Sequence, residues 1–350
     1  MNINDLVNKP GEWLKGTGPN ADIVISSRVR IARNIKDHPF CQWSGKKERM
    51  EILSQAKDAI TNSKDMKNAL FVRITDLDEV DRLFLIERHL MSREHALADE
   101  SKALAVDERE IISVMINEED HIRAQAIQSG FNVADTWRII DAFDNDLATK
   151  LDYCYTERWG YLTACPTNIG TGMRSSVMMH LPALVITNQI GKVLQAVIKL
   201  GITARGLYGE GSEASGNFFQ ISNQVTLGRS EEDIIDNIEK LINQVIGREK
   251  SARDYLLTNS RASVYDRIWR AYGTLKSARI ITSDETIRLL SLIRLGVDIS
   301  IITDIDRKIL NELFIFTQPA HLQKLEGKKL SSSERDMKRA DLIREKLKVT

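Results

Sequence analysis

The sequence predicts a mixed α/β region followed by an all-helical one. Three observations carry this. β-rich runs alternate with segments of helical period along the first part of the chain, the apolar pattern turns continuously helical from Ser230 onward, and 42% hydrophobic against 28% charged residues in a chain of 350 is ordinary for a globular protein. In chain order, residues 21–31 (ADIVISSRVRI) form a β-rich run that ends in alternating Arg and apolar residues. Residues 70–74, 111–116 and 218–227 are further strands by their β-branched and aromatic content. Between them, Val80, Leu83, Phe84, Ile86 and Leu90 recur at helical spacing. Ser230 is an expected N-cap, with Glu231, Glu232 and Asp233 in the first turn, where the helix dipole favours negative charge. Ile234, Ile235, Ile238, Leu241, Ile242 and Val245 then mark one helical face, and Gly247 is the expected stop. Residues 255–350 read as helical throughout, with Ser283 expected to cap the run TIRLLSLIRLG and Ser333 the run RDMKRADLIREKL. A boundary near residue 250 gives expected domains 1–250 and 251–350.

Composition excludes several classes. Lys+Arg and Asp+Glu both number 49, so no bulk charge calls for nucleic acid or a membrane surface. No uninterrupted apolar run approaches ~18 residues, and the opening MNINDLVNKPGEW has neither the basic flank nor the apolar run of a secretory leader. Cys41, Cys154 and Cys165 are too few and too scattered for a disulfide framework or a zinc cluster, so no protein-held metal is expected. The expectation is a cytoplasmic protein with reduced thiols. The last thirty residues carry nine Lys/Arg against five Asp/Glu; without aromatic interleaving, that excess suits a solvated helix face better than nucleic-acid binding.

No G-x-x-x-x-G-K-[ST], G-x-G-x-x-G, H-E-x-x-H or G-x-S-x-G motif is present. What stands out is arginine beside short polar loops. Arg28 and Arg30, two apart on a strand, project from one face. Arg174 follows Cys165-Pro-Thr-Asn-Ile-Gly-Thr-Gly172, whose glycines and hydroxyls bring backbone N–H groups within reach of an anion, and Arg205 opens Arg205-Gly-Leu-Tyr-Gly-Glu210. Arginine forks match phosphate oxygens, yet each one taken singly also suits a surface ion pair. Asn117-Glu118-Glu119-Asp120-His121-Ile-Arg123 is open to two readings: an exposed acidic turn, or a carboxylate aimed at a cationic substrate with Arg123 turned toward phosphate. Glu210, in Gly209-Glu210-Gly211-Ser212-Glu213, is a candidate second carboxylate on a segment free to move over a ligand.

I-S-S-R-V-R, N-E-E-D-H-I-R, C-P-T-N-I-G-T-G-M-R and R-G-L-Y-G-E followed by I-S-N-Q-V-T-L-G resemble, in the same order, the blocks of the phosphagen (creatine and arginine) kinases. The first arginine strand starts near residue 23, without the helical domain of about a hundred residues that precedes it in small-guanidine kinases, and Arg335-Asp336-Met337-Lys338-Arg339-Ala340 resembles the RDxxRA motif of the bacterial protein arginine kinases (the McsB type). The resemblance implies an α+β catalytic domain with an antiparallel sheet flanked by helices, followed by a helical domain for dimerisation and regulation. It implies Glu119 and Glu210 as the carboxylates that hold and deprotonate a guanidinium, and Cys165 beside it. It implies Arg28, Arg30, Arg123, Arg174 and Arg205 around the phosphates of ATP, and His89 as a nucleotide contact. Two family positions differ: Met178 stands in place of a histidine near the adenine, and Thr226 in place of a basic residue.

A guanidinium is cationic and lacks a free lone pair at neutral pH, so transfer of phosphate to it needs both a positioning carboxylate and a base. Five arginines and one Mg²⁺, held by phosphates and water, supply the countercharge without a Walker lysine. The expected activity is therefore transfer of the ATP γ-phosphate to arginine side chains of proteins. A kinase for free arginine or another small guanidine, and a non-catalytic phosphoarginine-binding adaptor, are the alternatives. Cys165 reads equally as a low-pKa thiolate near the substrate cation or as a small buried loop residue. Arg335 and Asp336 read either as an allosteric phosphoarginine pocket or as a helix N-terminus with Asp336 in the first turn. The resemblance further implies a stress-response role in marking proteins for a Clp protease, a heat-shock repressor as substrate, a zinc-binding activator protein and a Clp ATPase as partners, and a homodimer.

Overall fold

In the computed structural model, which describes residues 1–206 and 215–348, the ten-residue strand β1 (Val24–Arg33) lies inside an eight-stranded antiparallel sheet. The chain then adds α1 (Lys46–Thr61), β2 (Leu70–Arg73), α2 (Glu79–Glu87), β3 (Ala103–Val106), β4 (Ile112–Ile116), β5 (Ile122–Ser129) and α3 (Val133–Ala148). A small hairpin, β6 (Tyr155–Thr156) with β7 (Gly160–Tyr161), leads to β8 (Met173–His180), α4 (Pro182–Ile186), α5 (Ile190–Lys199), β9 (Ile202–Gly206) and β10 (Phe218–Asn223). The strand order is β2-β3-β4-β5-β1-β8-β10-β9. Six helices follow: α6 (Glu231–Asn259), α7 (Arg261–Ser277), α8 (Ser283–Asp298), α9 (Arg307–Phe316), α10 (Pro319–Glu326) and α11 (Ser332–Lys346). No helix among the described residues is long and apolar enough to cross a membrane.

Side chains directly opposite one another in an antiparallel ladder share a face, so the register sorts the sheet into two. Val29, Ile31, Ala124, Ala126, Val177 and Ile221 occupy one face and are buried under α3 and α6. α3 presents Val133, Ile140, Phe143 and Leu147 to it, one stripe of a 3.6-residue period. Arg30 lies opposite Arg174 on β8 and Gln125 on β5; Arg28 opposite Ser176; Ala32 opposite Arg123; and Gln220, two along from Ser222, opposite Arg205. All five arginines therefore stand on the other face. Helices α8–α10 close one end of that face. Arg294 of α8 donates to Ala21 O at 2.6 Å, His180 shares a 2.8 Å bond with Ser291, and Glu87 accepts from the first free N–H groups of α10, Ala320 and His321, at 2.9 Å each.

Several local expectations are corrected. α6 runs through Gly247 to Asn259, because Glu249 beyond it is buried and accepts from the N–H groups of Ala183 and Leu184 at 3.1 and 3.0 Å; tertiary anchoring outweighs the glycine. Thr282, not Ser283, caps α8, and Ser331, not Ser333, caps α11 in a reciprocal box with Glu334, so Asp336 lies beyond the first turn. The strand expected over 218–227 stops at Asn223, and that expected over 21–31 starts at Val24 and continues to Arg33.

Candidate active site

The β4–β5 turn builds the acidic end of the arginine face. Asn117 takes φ of 57°, donates its N–H to His121 O at 2.9 Å, and anchors its amide to Arg49 O and Ser101 O at 2.9 and 2.8 Å. Asp120 turns inward and accepts from Asn34 Nδ2 and Ala164 N, both at 2.7 Å, which ties the turn to the end of β1 and to the Cys165 loop. His121 accepts from Ile35 N at 3.0 Å and donates to Pro39 O at 3.0 Å, and burial pushes its pKa down to about 4, so the ring is a neutral brace. Asp120 and His121 hold the turn, which leaves Glu118 and Glu119 facing the arginines.

Glu118 ion-pairs Arg123 at 2.5 Å and accepts from Ser92 Oγ at 2.7 Å. Burial opposes its charge, but Arg123 and Ser92 outweigh that, and the carboxyl titrates below its ordinary value. Glu119 goes the other way: burial raises its pKa, Asp120 and Glu118 raise it further, and Arg123 and then Cys165 partly offset them. Glu119 and Cys165 are thus brought together, both half-buried, with Cys165 Sγ also 3.0 Å from Thr167 Oγ1. Glu210 lies outside the described residues.

Arg28 and Arg174 are held by hydroxyls. Arg28 Nε reaches Ser176 Oγ at 3.4 Å, Arg174 binds Ser222 Oγ at 2.9 and 3.2 Å, and the buried Nε of Arg30 has no hydrogen-bond partner. Burial, then Arg123 and Arg174, lower the pKa of Arg28 to about 10; burial and all three neighbours lower that of Arg30 well below its usual value, and burial with Arg205 and Arg123 lowers that of Arg174. All stay protonated at neutral pH, and their mutual repulsion is relieved by any polyanion placed among them. Arg205 is exposed on β9, and with Arg174, Thr167 and Thr226 it lines a cavity of about 520 Å³. Thr226, where the family resemblance leads one to expect a base, donates to Thr167 O or Ile169 O at 2.9 and 2.7 Å and pins the Cys165 loop.

A second cleft, about 820 Å³, opens beside Arg28 toward Ser26, His89 and Met178. Burial and the Arg28 charge push the His89 pKa down to about 4, and Trp13 meets its ring edge-on at 5.4 Å. From Ser26 to Arg30 is four residues of strand, about 13 Å at 3.3 Å each. The face therefore reads in sequence along β1 as an apolar end, a cationic middle and a carboxylate–thiol end. Among the described residues, no three His, Cys, Asp or Glu side chains form a metal-binding group. Sequence reasoning missed Glu118 as the partner of Arg123, the Asn34–Asp120 brace, and the apolar end. Glu118 is singled out only with Ser92, twenty-six residues away, Asn34 and Asp120 are eighty-six apart, and the apolar end is assembled from several separate segments.

Arg335 and Asp336 lie on α11, away from these carboxylates. Asp336 ion-pairs Arg339, which is buried and donates to Thr317 O and Ile281 O at 2.8 Å each, while Arg335 donates to Leu330 O at 3.3 Å.

Residues 51–252 match the ATP:guanido phosphotransferase C-terminal catalytic domain, and residues 261–350 match the protein-arginine kinase McsB C-terminal domain. The chain is 47% identical to the protein-arginine kinase of Halothermothrix orenii over 348 residues, 99% of both chains, and 46% identical to that of Symbiobacterium thermophilum over 351 residues, again 99% of both. Among solved structures, the duplicated taurocyamine kinase of Schistosoma mansoni has the same fold over 67% of this chain and 34% of its own, with TM-score 0.61 and 24% identity. Lombricine kinase shares it over 69% of this chain and 72% of its own, with TM-score 0.59 and 23% identity.

Proposed function

The chain belongs to the ATP:guanido phosphotransferase family, in the branch that carries the protein-arginine kinase C-terminal domain, and on that premise we propose that it transfers the γ-phosphoryl group of ATP to the guanidinium of arginine side chains in proteins. The observation that carries the proposal is the single sheet face on which five arginines run up to Glu119 and Cys165.

In this reading the triphosphate lies among Arg28, Arg30, Arg123, Arg174 and Arg205, whose repulsion it relieves and whose charge stabilises the transferring group. Mg²⁺ supplies further countercharge on phosphate oxygens and water. Glu118, held by Arg123 and Ser92, and Asp120, held by Asn34 and Ala164, are already committed, so Glu119 is the carboxylate available to the substrate. Glu119 orients the guanidinium and, with Glu210 as the proposed second grip, directs one nitrogen at the γ-phosphorus. The N–P bond forms, the bond from phosphorus to the β-phosphate oxygen breaks, ADP leaves, and the guanidinium proton passes to Glu119, whose raised pKa suits a base. Cys165 stands beside Glu119 and helps hold its pKa down.

The RDxxRA segment is assigned as a phosphoarginine pocket in which Arg335 meets phosphate and Asp336 exchanges Arg339 for the ligand guanidinium. The family resemblance supports the wider setting: a cytoplasmic homodimer with catalytic and regulatory domains 1–250 and 251–350, which marks proteins for a Clp protease under stress, with a heat-shock repressor as substrate and a zinc-binding activator as partner. The activity is tested by incubating the protein and Mg-ATP with an unfolded arginine-containing protein, and separately with free L-arginine. Phosphate on protein arginine is the expected product; transfer to the free amino acid alone would make the chain a small-guanidine kinase, and transfer to neither would favour a phosphoarginine-binding adaptor.

A further inference from the structure

Beyond Arg28 the cleft changes both its chemistry and its ownership. The sheet contributes Ser26, Met178 and Phe218 to its lining; Trp13 and, from α9, Phe314 and Ile315 contribute the rest of its apolar surface. Met178 and Phe218 lie in the segment that matches the phosphotransferase domain, whereas α9 lies in the segment that matches the protein-arginine kinase C-terminal domain. The cleft is therefore built from both.

We propose that Phe314 and Ile315 are nucleotide-contacting residues, and that α9 provides the wall on which the base of the phosphoryl donor packs. This rests on the reading of ATP as donor. Charge sorts the orientation: a triphosphate belongs with the arginines, and the flat, neutral base belongs at the apolar end. That end is stiff. Phe314 meets Phe218 edge-on with ring centroids 4.7 Å apart at 86°, a fixed aromatic corner. His89 sits there as a neutral ring rather than another cation, so it can exchange hydrogen bonds with a heterocycle without competing for the phosphates. α9 is also held in place from below. Asn311 donates to Leu14 O at 3.1 Å and accepts from the buried Arg294, which itself donates to Ala21 O at 2.6 Å. The wall is thus preorganised against the sheet, as base binding requires.

The test measures binding of two probes to the full-length protein by calorimetry: the non-hydrolysable ATP analogue AMP-PNP, and inorganic tripolyphosphate, which has the charge but no base. Phe314→Ala is expected to weaken AMP-PNP about tenfold while leaving tripolyphosphate within about twofold. Because that variant removes a buried ring, Ile315→Trp is the second one: it fills the cleft without deleting core, and it is expected to weaken AMP-PNP by a similar factor, again sparing tripolyphosphate. Thermal melting checks that each variant is folded. Unchanged AMP-PNP affinity in folded Ile315→Trp, or an equal loss for both probes, would overturn the wall and leave the donor reading intact. An unmodified protein that binds tripolyphosphate and not AMP-PNP would overturn the donor reading itself.

Discussion

Arg30 carries a buried Nε with no partner and a guanidinium pushed well below its ordinary pKa by burial and by Arg28, Arg123 and Arg174. A group this disfavoured in the unliganded protein serves a ligand rather than the fold. Arg30→Met is accordingly expected to melt no lower than the wild type without ligand, to lose the rise in Tm that Mg-ATP gives the wild type, and to lose turnover by on the order of 10²-fold. A fall in unliganded Tm with activity intact would reverse that assignment. Cys165 makes a separate, signed prediction. Arg123 first, and then Cys165, pull the Glu119 pKa down against burial, Asp120 and Glu118. Cys165→Ala should therefore move the acidic limb of the pH–rate profile to higher pH, because Glu119 must be ionised to act as base. An unmoved limb would separate the two residues. That arginines 28 and 30 share a face was legible from their spacing alone. That Glu118 belongs to Arg123 and leaves Glu119 available was not, since neighbouring carboxylates are told apart only by partners such as Ser92, remote in sequence.

At the scale of elements, what could be read was whatever a local pattern determines. β1, β2, β4 and α6 follow from β-branched runs, or from a cap and an apolar stripe. β5 (IRAQAIQS) and β8 (MRSSVMMH) escaped because their cleft face carries Arg, Gln and Ser at period two, so a strand built for a polar site reads as a polar segment. The caps of α8 and α11 were missed by one or two residues: among adjacent hydroxyls, the one followed three residues on by Glu285 or Glu334 wins. The α2–α10 contact yields a pH prediction. Burial raises the Glu87 pKa to about 7, although the Ala320 and His321 N–H groups, Arg339 and Arg335 pull it down. The folded form thus binds this proton more tightly than the unfolded chain, so the contribution is full below the ordinary carboxylate range and is lost as pH rises toward and past 7. Glu87→Gln should flatten the fall of Tm between about pH 5 and 8 relative to the wild type. Identical pH profiles for the two proteins would show that Glu87 does not titrate in that window.

At the scale of the whole molecule, a chain with no net charge gathers five arginines on one sheet face, and two sequence-distant regions enclose the space beside them. The antiparallel frame and the helical C-terminal region were legible from pattern and resemblance. The way α9 closes the cleft was not, because Phe314 joins Phe218 across ninety-six residues and no local period encodes that. The central claim is that this face moves phosphate onto protein arginine with Glu119 as base. The most direct measurement incubates wild type and Glu119→Gln with Mg-ATP and an unfolded arginine-containing protein, and reads the products by mass spectrometry under non-acidic conditions, since a P–N bond is acid-labile. The predicted result is phosphate on arginine side chains with the wild type and a loss on the order of 10²-fold or more with the variant, whose AMP-PNP binding is unchanged. Phosphoarginine formed equally by both proteins, or by neither, would contradict it.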